Sequence, residues 1–101
     1  MSNPSHSTVE AWDPGLALAQ AVALHNAGRI EEAEPVYDRI LDALPDHAEA
    51  LHFKGLAAHQ RGRHGQAIEL IRAAIARNGE QFGWYSNLGN VLLTTGETDA
   101  A

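Results

Sequence analysis

The sequence predicts an all-α protein built from copies of one helix-turn-helix unit, and three observations predict it. Gly28, Gly62 and Gly96 stand 34 residues apart, and Ala33, Ala67 and Ala101 repeat at the same interval, each five residues after its glycine. Ala21, Gly55 and Gly89 keep a small residue at that spacing, with apolar Ala17, Leu51 and Tyr85 four residues before each. Between the glycines, apolar residues recur at three and four, the period of a helix face. A fixed period of this length means one supersecondary unit copied along the chain, each copy unable to bury its apolar face without a neighbour.

The elements follow in order. A first helix is expected over 15–27, where Leu16, Ala17, Ala21 and Leu24 share one broad apolar face. Gly28 stops it, because glycine takes the left-handed conformation of a helix C-cap. A second helix, over 30–44, opens with Glu31, Glu32 and Glu34 at the positive end of its dipole and carries Ala33, Val36, Tyr37, Ile40, Leu41 and Leu44 on its apolar side. Pro35 falls within the first turn and a half, where a missing N–H costs little. Pro45 ends the helix, and Pro45-Asp46-His47 forms the hinge to the next unit. Helices over 48–61 and 64–78 repeat the plan, and a fifth, over 81–95, starts a third unit. After Gly96, "GETDAA" reads as the beginning of a partner helix, with Glu97 or Thr98 near its N-cap.

The units are therefore 14–47, 48–81 and an incomplete 82–101, about two and a half repeats. Residues 1–13 form a polar, serine-containing lead-in that reads as flexible. Trp12 is the exception within it: it is expected to cover the open end of the stack, the alternative being that its segment docks into a groove of this molecule or of a neighbour. Gly55 and Gly89 are expected where helices approach most closely.

These residues resemble the tetratricopeptide-repeat family. The third unit carries Tyr85, Leu88, Gly89 and Leu92 of the first half of the family's pattern, and the first carries Ala33, Tyr37 and Pro45 of the second half. The second keeps Leu51, Gly55, Ala67 and Ile71 but has Gly79 where proline is usual, and the first has Gln20-Ala21 in place of Leu-Gly. The resemblance covers residues 14–101 and implies a right-handed superhelical solenoid that acts as a non-catalytic scaffold for a protein or peptide. A subclass of the family holds carboxylate ends of chaperone tails on its concave wall. Of the matching residues here, Leu18, Val22, Glu49, Phe53 and Asn87, only the asparagine fits, and Glu49 opposes an acidic tail. The segment "SNLGNVL" is further similar to repeats of bacterial multidomain O-glycosyltransferases, whose superhelix has an asparagine ladder at the place of Asn87. Ala19 and Phe53 occupy the earlier rungs in this chain.

Composition narrows the function classes. A net charge of −6, with 7 basic residues against 13 acidic ones and no basic cluster, argues against nucleic acid as partner. There is no cysteine, hence no disulfide framework or thiolate metal site. No apolar run approaches the length of a membrane span, the N-terminus lacks the pattern of a signal peptide, and the cytoplasm is the expected location. No Ser/His/Asp constellation or phosphate-binding loop points to catalysis.

The family's concave wall is made by the first helix of each unit. The expected groove residues are Val22 and His25 from the first unit, Glu49, His52, Phe53, Leu56 and His59 from the second, and Asn87 and Asn90 from the third. Its N-terminal part suits an apolar side chain or helix, and its C-terminal amides suit an extended peptide backbone. Trp84, Leu88, Val91 and Leu92 are expected to be partly uncovered on the last helix, which makes self-association, as a homodimer through the C-terminal end, the alternative function. Substrate-presenting repeats of a glycosyltransferase-type enzyme are another. His25, His52 and His59 read as hydrogen-bonding groups rather than metal ligands, since there is no close His-x3-His pair and no cofactor is implied.

Overall fold

The computed structural model describes residues 12–100, with side chains through Thr95. Five helices follow one another: α1 Pro14–Asn26, α2 Ile30–Ala43, α3 Ala48–Gln60, α4 His64–Arg77 and α5 Phe82–Ala100. The described residues contain no strand. Consecutive helices pack against each other as antiparallel hairpins, and α1 also touches α3 as α3 touches α5. The first helices of the units thus stand side by side.

The ends of the helices are set by local chemistry. The Asp13 carboxylate accepts from the Gly15 and Leu16 N–H groups at 2.9 and 3.4 Å, and Pro14 occupies the first helical position of α1. His47 Nδ1 does the same for α3, accepting from Ala50 N–H at 3.2 Å. Gly28 and Gly62 have φ of 83° and 82°. Behind each, an arginine N–H closes the turn: Arg29 on the Leu24 carbonyl and Arg63 on the Ala58 carbonyl, both at 2.8 Å.

Gly96 departs from the expected pattern. The helix runs through it to Ala100, with no second turn and no new N-cap at 97 or 98. A left-handed turn is stabilised by an apolar face that returns to pack after it, and among the described residues no helix packs back on α5 beyond Gly96. Ala101 and residues 1–11 of the expected lead-in lie outside the described residues. Trp12 and Asp13 belong to the folded unit instead: Trp12 packs on the first core cluster, with the Arg39 guanidinium 4.3 Å above its ring.

The core is divided among three clusters. Ala17, Leu18, Ala21, Ala33, Tyr37 and Ile40 join Ala50 and Ala57 of α3; Ala58, Ala67 and Ile71 join Val91; Leu51 and Ala74 join Trp84. Gly55 is a true close approach. A Cβ there would stand 2.8 Å from Ile71 Cγ1 and 3.2 Å from the Ala67 carbonyl oxygen. Gly89 is not: nothing lies within 4 Å of its Cβ position. The residues that crowd Gly55 belong to the following helix, and among the described residues no helix is seated against Gly89.

The outer, charged sides of neighbouring units are tied by ion pairs. Lys54 meets Asp38 at 2.7 Å, and Glu34 takes Arg63 at 2.6 Å and Arg61 at 3.3 Å. Glu34 is therefore an inter-unit clasp.

Candidate functional site

The wall formed by α1, α3 and α5 carries a recurrent polar contact. His25 Nε2 lies 3.1 Å from Gln60 Oε1, and His52 Nε2 lies 2.9 Å from Asn87 Nδ2. Both pairs are separated by 35 residues. Each joins a first helix to the next one, from a histidine to an amide one position past its 34-residue equivalent.

These histidines are structural members of the wall. His25 is 8% exposed, and its Nδ1 lies 3.0 Å from Tyr37 Oη. Tyr37 is fully buried, and burial pushes its phenol up to about 12, so it stays a neutral O–H at physiological pH. Its ring stacks with Phe53 at 6.3 Å. His52, 3% exposed, is stacked at 4.7 Å on Trp84 and meets Phe53 edge-on at 5.0 Å. Burial, and then the charge of His25, lower His52 to about 4. It is therefore neutral above that pH. With Nε2 accepting from the Asn87 amide, its other ring nitrogen, Nδ1, is buried without a partner.

The expected groove residues separate into two sets. Val22, Phe53, Leu56, His59 and Asn87 are half-buried and Glu49 and Asn90 exposed. His25 and His52 are buried and tie each first helix to the next. The expected uncovered set on α5 needs correction. Trp84 is 7% exposed and Val91 1%, because α5 turns them onto the second unit's core. Leu88 is half-buried, and Leu92 is 38% exposed. Phe82, Tyr85 and Leu93 are exposed as well.

Two partners escaped the sequence reading. Gln60 is not among the expected groove residues, although its 35-residue offset from His25 matches the Asn87 offset from His52. His64 was read only as helix sequence, yet its Nδ1 lies 2.8 Å from His59 Nδ1. The signal was a pair of histidines five residues apart across a glycine turn.

Three surface hollows lie elsewhere: about 290 Å³ at Gly28–Glu32 and Arg61, about 160 Å³ along Glu34, Asp38, Lys54 and Arg63, and about 360 Å³ at Ala43–His47. Their arginines, lysine and carboxylates are mostly paired with one another. Among the described residues no helix is long and apolar enough to cross a membrane.

Comparison with known proteins adds to this geometry. The tetratricopeptide repeat family profile matches residues 18–81 and again 63–101. Human tetratricopeptide repeat proteins 7A and 7B are each 31% identical over 74 residues, which is 73% of this chain and 9% of theirs. The uncharacterized protein y4yS of Sinorhizobium fredii is 32% identical over 87 residues, 86% of this chain and 47% of its own. Among solved structures, a mutant of the Thermobaculum terrenum O-GlcNAc transferase superposes with a TM-score of 0.78 at 31% identity, over 99% of this chain and 18% of that one. The chain spans less than half the length of each of these proteins.

Proposed function

This chain belongs to the tetratricopeptide-repeat family, whose units mediate protein–protein interaction, and from that premise we propose that it binds a peptide or helix of a partner protein along the wall of α1, α3 and α5. The observation that carries this reading is the grading of that wall. Val22, Phe53 and Leu56 offer apolar surface at one end, and Asn87 and Asn90 offer amides at the other. The His52 bond fixes the Asn87 Nδ2 atom, which leaves the amide oxygen oriented in advance to accept from a peptide N–H. Glu49 is exposed on the same wall and no lysine or arginine occupies its expected positions, so a neutral or basic segment suits it better than an acidic tail. The likeness to an O-GlcNAc transferase supports a related version, in which these repeats present a polypeptide to an enzyme of a longer chain.

Panning a peptide library on the chain tests the proposal. A selected ligand should lose at least tenfold in affinity when Phe53→Leu and Asn90→Ala are combined, with an unchanged helical circular-dichroism spectrum. A ligand that maps to Glu34, Asp38 and Asp42 overturns it.

A second reading, self-association, has its own observation. On α3, the face of Leu51, Gly55 and Ala58 is buried, with α4 seated against Gly55. The same face of α5, Tyr85, Gly89 and Leu92, is exposed. A second copy seated there would remove apolar surface from water at about 25 cal/mol per Å².

A further inference from the structure

His59 stands on the last turn of α3 and His64 is the first residue of α4, so the Gly62 turn brings the two rings together. Their Nδ1 atoms are 2.8 Å apart, with ring centroids at 4.8 Å and planes tilted by 57°. At that contact one Nδ1 donates and the other accepts, so at least one lone pair points at its neighbour. Both rings are half-buried and so remain reachable from solvent. Burial, and then the charge of His64, push the His59 pKa down.

The repeat shows that the fold does not require this pair. In the first unit His25 stands at the place of His59, but Ile30 stands at the place of His64 and packs on the core. His25 meets Tyr37 and Gln60 instead. A half-buried isoleucine serves the turn, so the histidine at 64 adds chemistry rather than packing.

We propose that His59 and His64 form a two-imidazole chelate for a divalent transition metal of the Cu2+ or Ni2+ class, with the remaining positions taken by water or by a donor of a bound partner. The choice of metal follows from distance. With metal–imidazole bonds of about 2 Å, nitrogens 2.8 Å apart subtend about 90° at a shared ion, which the two rings reach by turning their Nδ1 lone pairs about 45° off the hydrogen-bond line. That is the cis angle of a square-planar or octahedral site; a tetrahedral ion needs them about 3.3 Å apart at that bond length. The ring that donates from Nδ1 moves its proton to Nε2 when its Nδ1 takes the metal. Among the described residues no set of three His, Cys or carboxylate ligands converges, so the chain supplies an open anchor rather than a closed cage.

Copper titration of the whole chain, by calorimetry against glycine as competitor, tests this. One equivalent should bind at pH 7.5, at least tenfold more weakly after His59→Ala or His64→Ile and unchanged after His6→Ala or His47→Ala. His64→Ile supplies the residue of the first unit, and an unchanged circular-dichroism spectrum verifies its fold. Electron paramagnetic resonance of the loaded chain should show imidazole nitrogen couplings that disappear in the same two variants. Equal binding by His64→Ile and the natural chain, loss of binding on His47→Ala or His6→Ala instead, or no copper retained against glycine overturns the proposal.

Discussion

The His52 imidazole and the Asn87 amide, 35 residues apart in sequence, meet at 2.9 Å and fasten the third unit to the second. The bond lies beside the Trp84 ring that stacks on His52, so one residue both packs and hydrogen-bonds across the joint. A charged imidazole in that place has lost its water and faces Trp84 and Phe53, and the charge of His25 opposes it as well.

Acidification should therefore loosen this joint. The His52 pKa is lowered from 6.5 to about 4 on folding, so the unfolded chain binds the extra proton first. Its contribution is fully present above about pH 6.5 and declines by about 1.4 kcal/mol per pH unit as pH falls toward 4. Urea unfolding at pH 7, 5.5 and 4.5 checks this against His52→Phe, which keeps a ring on Trp84 and should show a shallower loss. Parallel pH dependence of the two proteins contradicts the assignment.

Two glycines at equivalent places should respond oppositely to alanine. Gly55→Ala drives a Cβ to within 2.8 Å of Ile71 Cγ1, and is expected to destabilise by about 1 to 3 kcal/mol. Gly89→Ala meets open space and should gain about 0.5 to 1 kcal/mol from helix propensity. Thermal denaturation of the two variants beside the natural chain reads the sign of each.

Removing one oxygen from the first unit should be costly. Tyr37→Phe keeps the ring stacked on Phe53 but takes away the partner of His25 Nδ1. A buried group left unpaired costs about 1 to 3 kcal/mol. Denaturant midpoints check the loss, and the fully helical spectrum should remain.

Self-association, if it uses the open face of α5, should depend on the exposed leucines there and not on Trp84. Leu92→Glu with Leu93→Glu is expected to leave the fold intact and make the chain monomeric in light scattering at every concentration. Trp84→Ala should instead lower stability by about 3 to 5 kcal/mol, since its ring lies in the core with Leu51 and Ala74. Concentration-independent mass in the natural chain rules out the second reading.

The helices were legible because period and punctuation are local. Four of the five end within a residue of where glycine, proline and apolar spacing placed them. The family profile and the structural likeness agree with the fold that Ala33, Tyr37, Gly55 and Ile71 had suggested. Gly96 was misread because a glycine makes a turn only when packing rewards it. Gly89 failed for the same reason: its sequence position equals that of Gly55, but a close approach needs a second helix. The wall was half legible. Helical phase picks out His25 and His52 on α1 and α3, whereas their burial depends on Tyr37 and Trp84 arriving from other helices. The His59 contact with His64 depends on side-chain directions at a turn, which spacing alone does not give.

α3 contributes residues to all three core clusters: Ala50 and Ala57 to the first, Ala58 to the second and Leu51 to the third. A pull applied to the two ends of the molecule would therefore meet its greatest resistance in the middle. The outer helices share fewer neighbours and would peel away first, from either side, with α3 and α4 the last pair to separate. Such a molecule yields in steps and has a built-in order of rupture, the mechanical counterpart of having no single core.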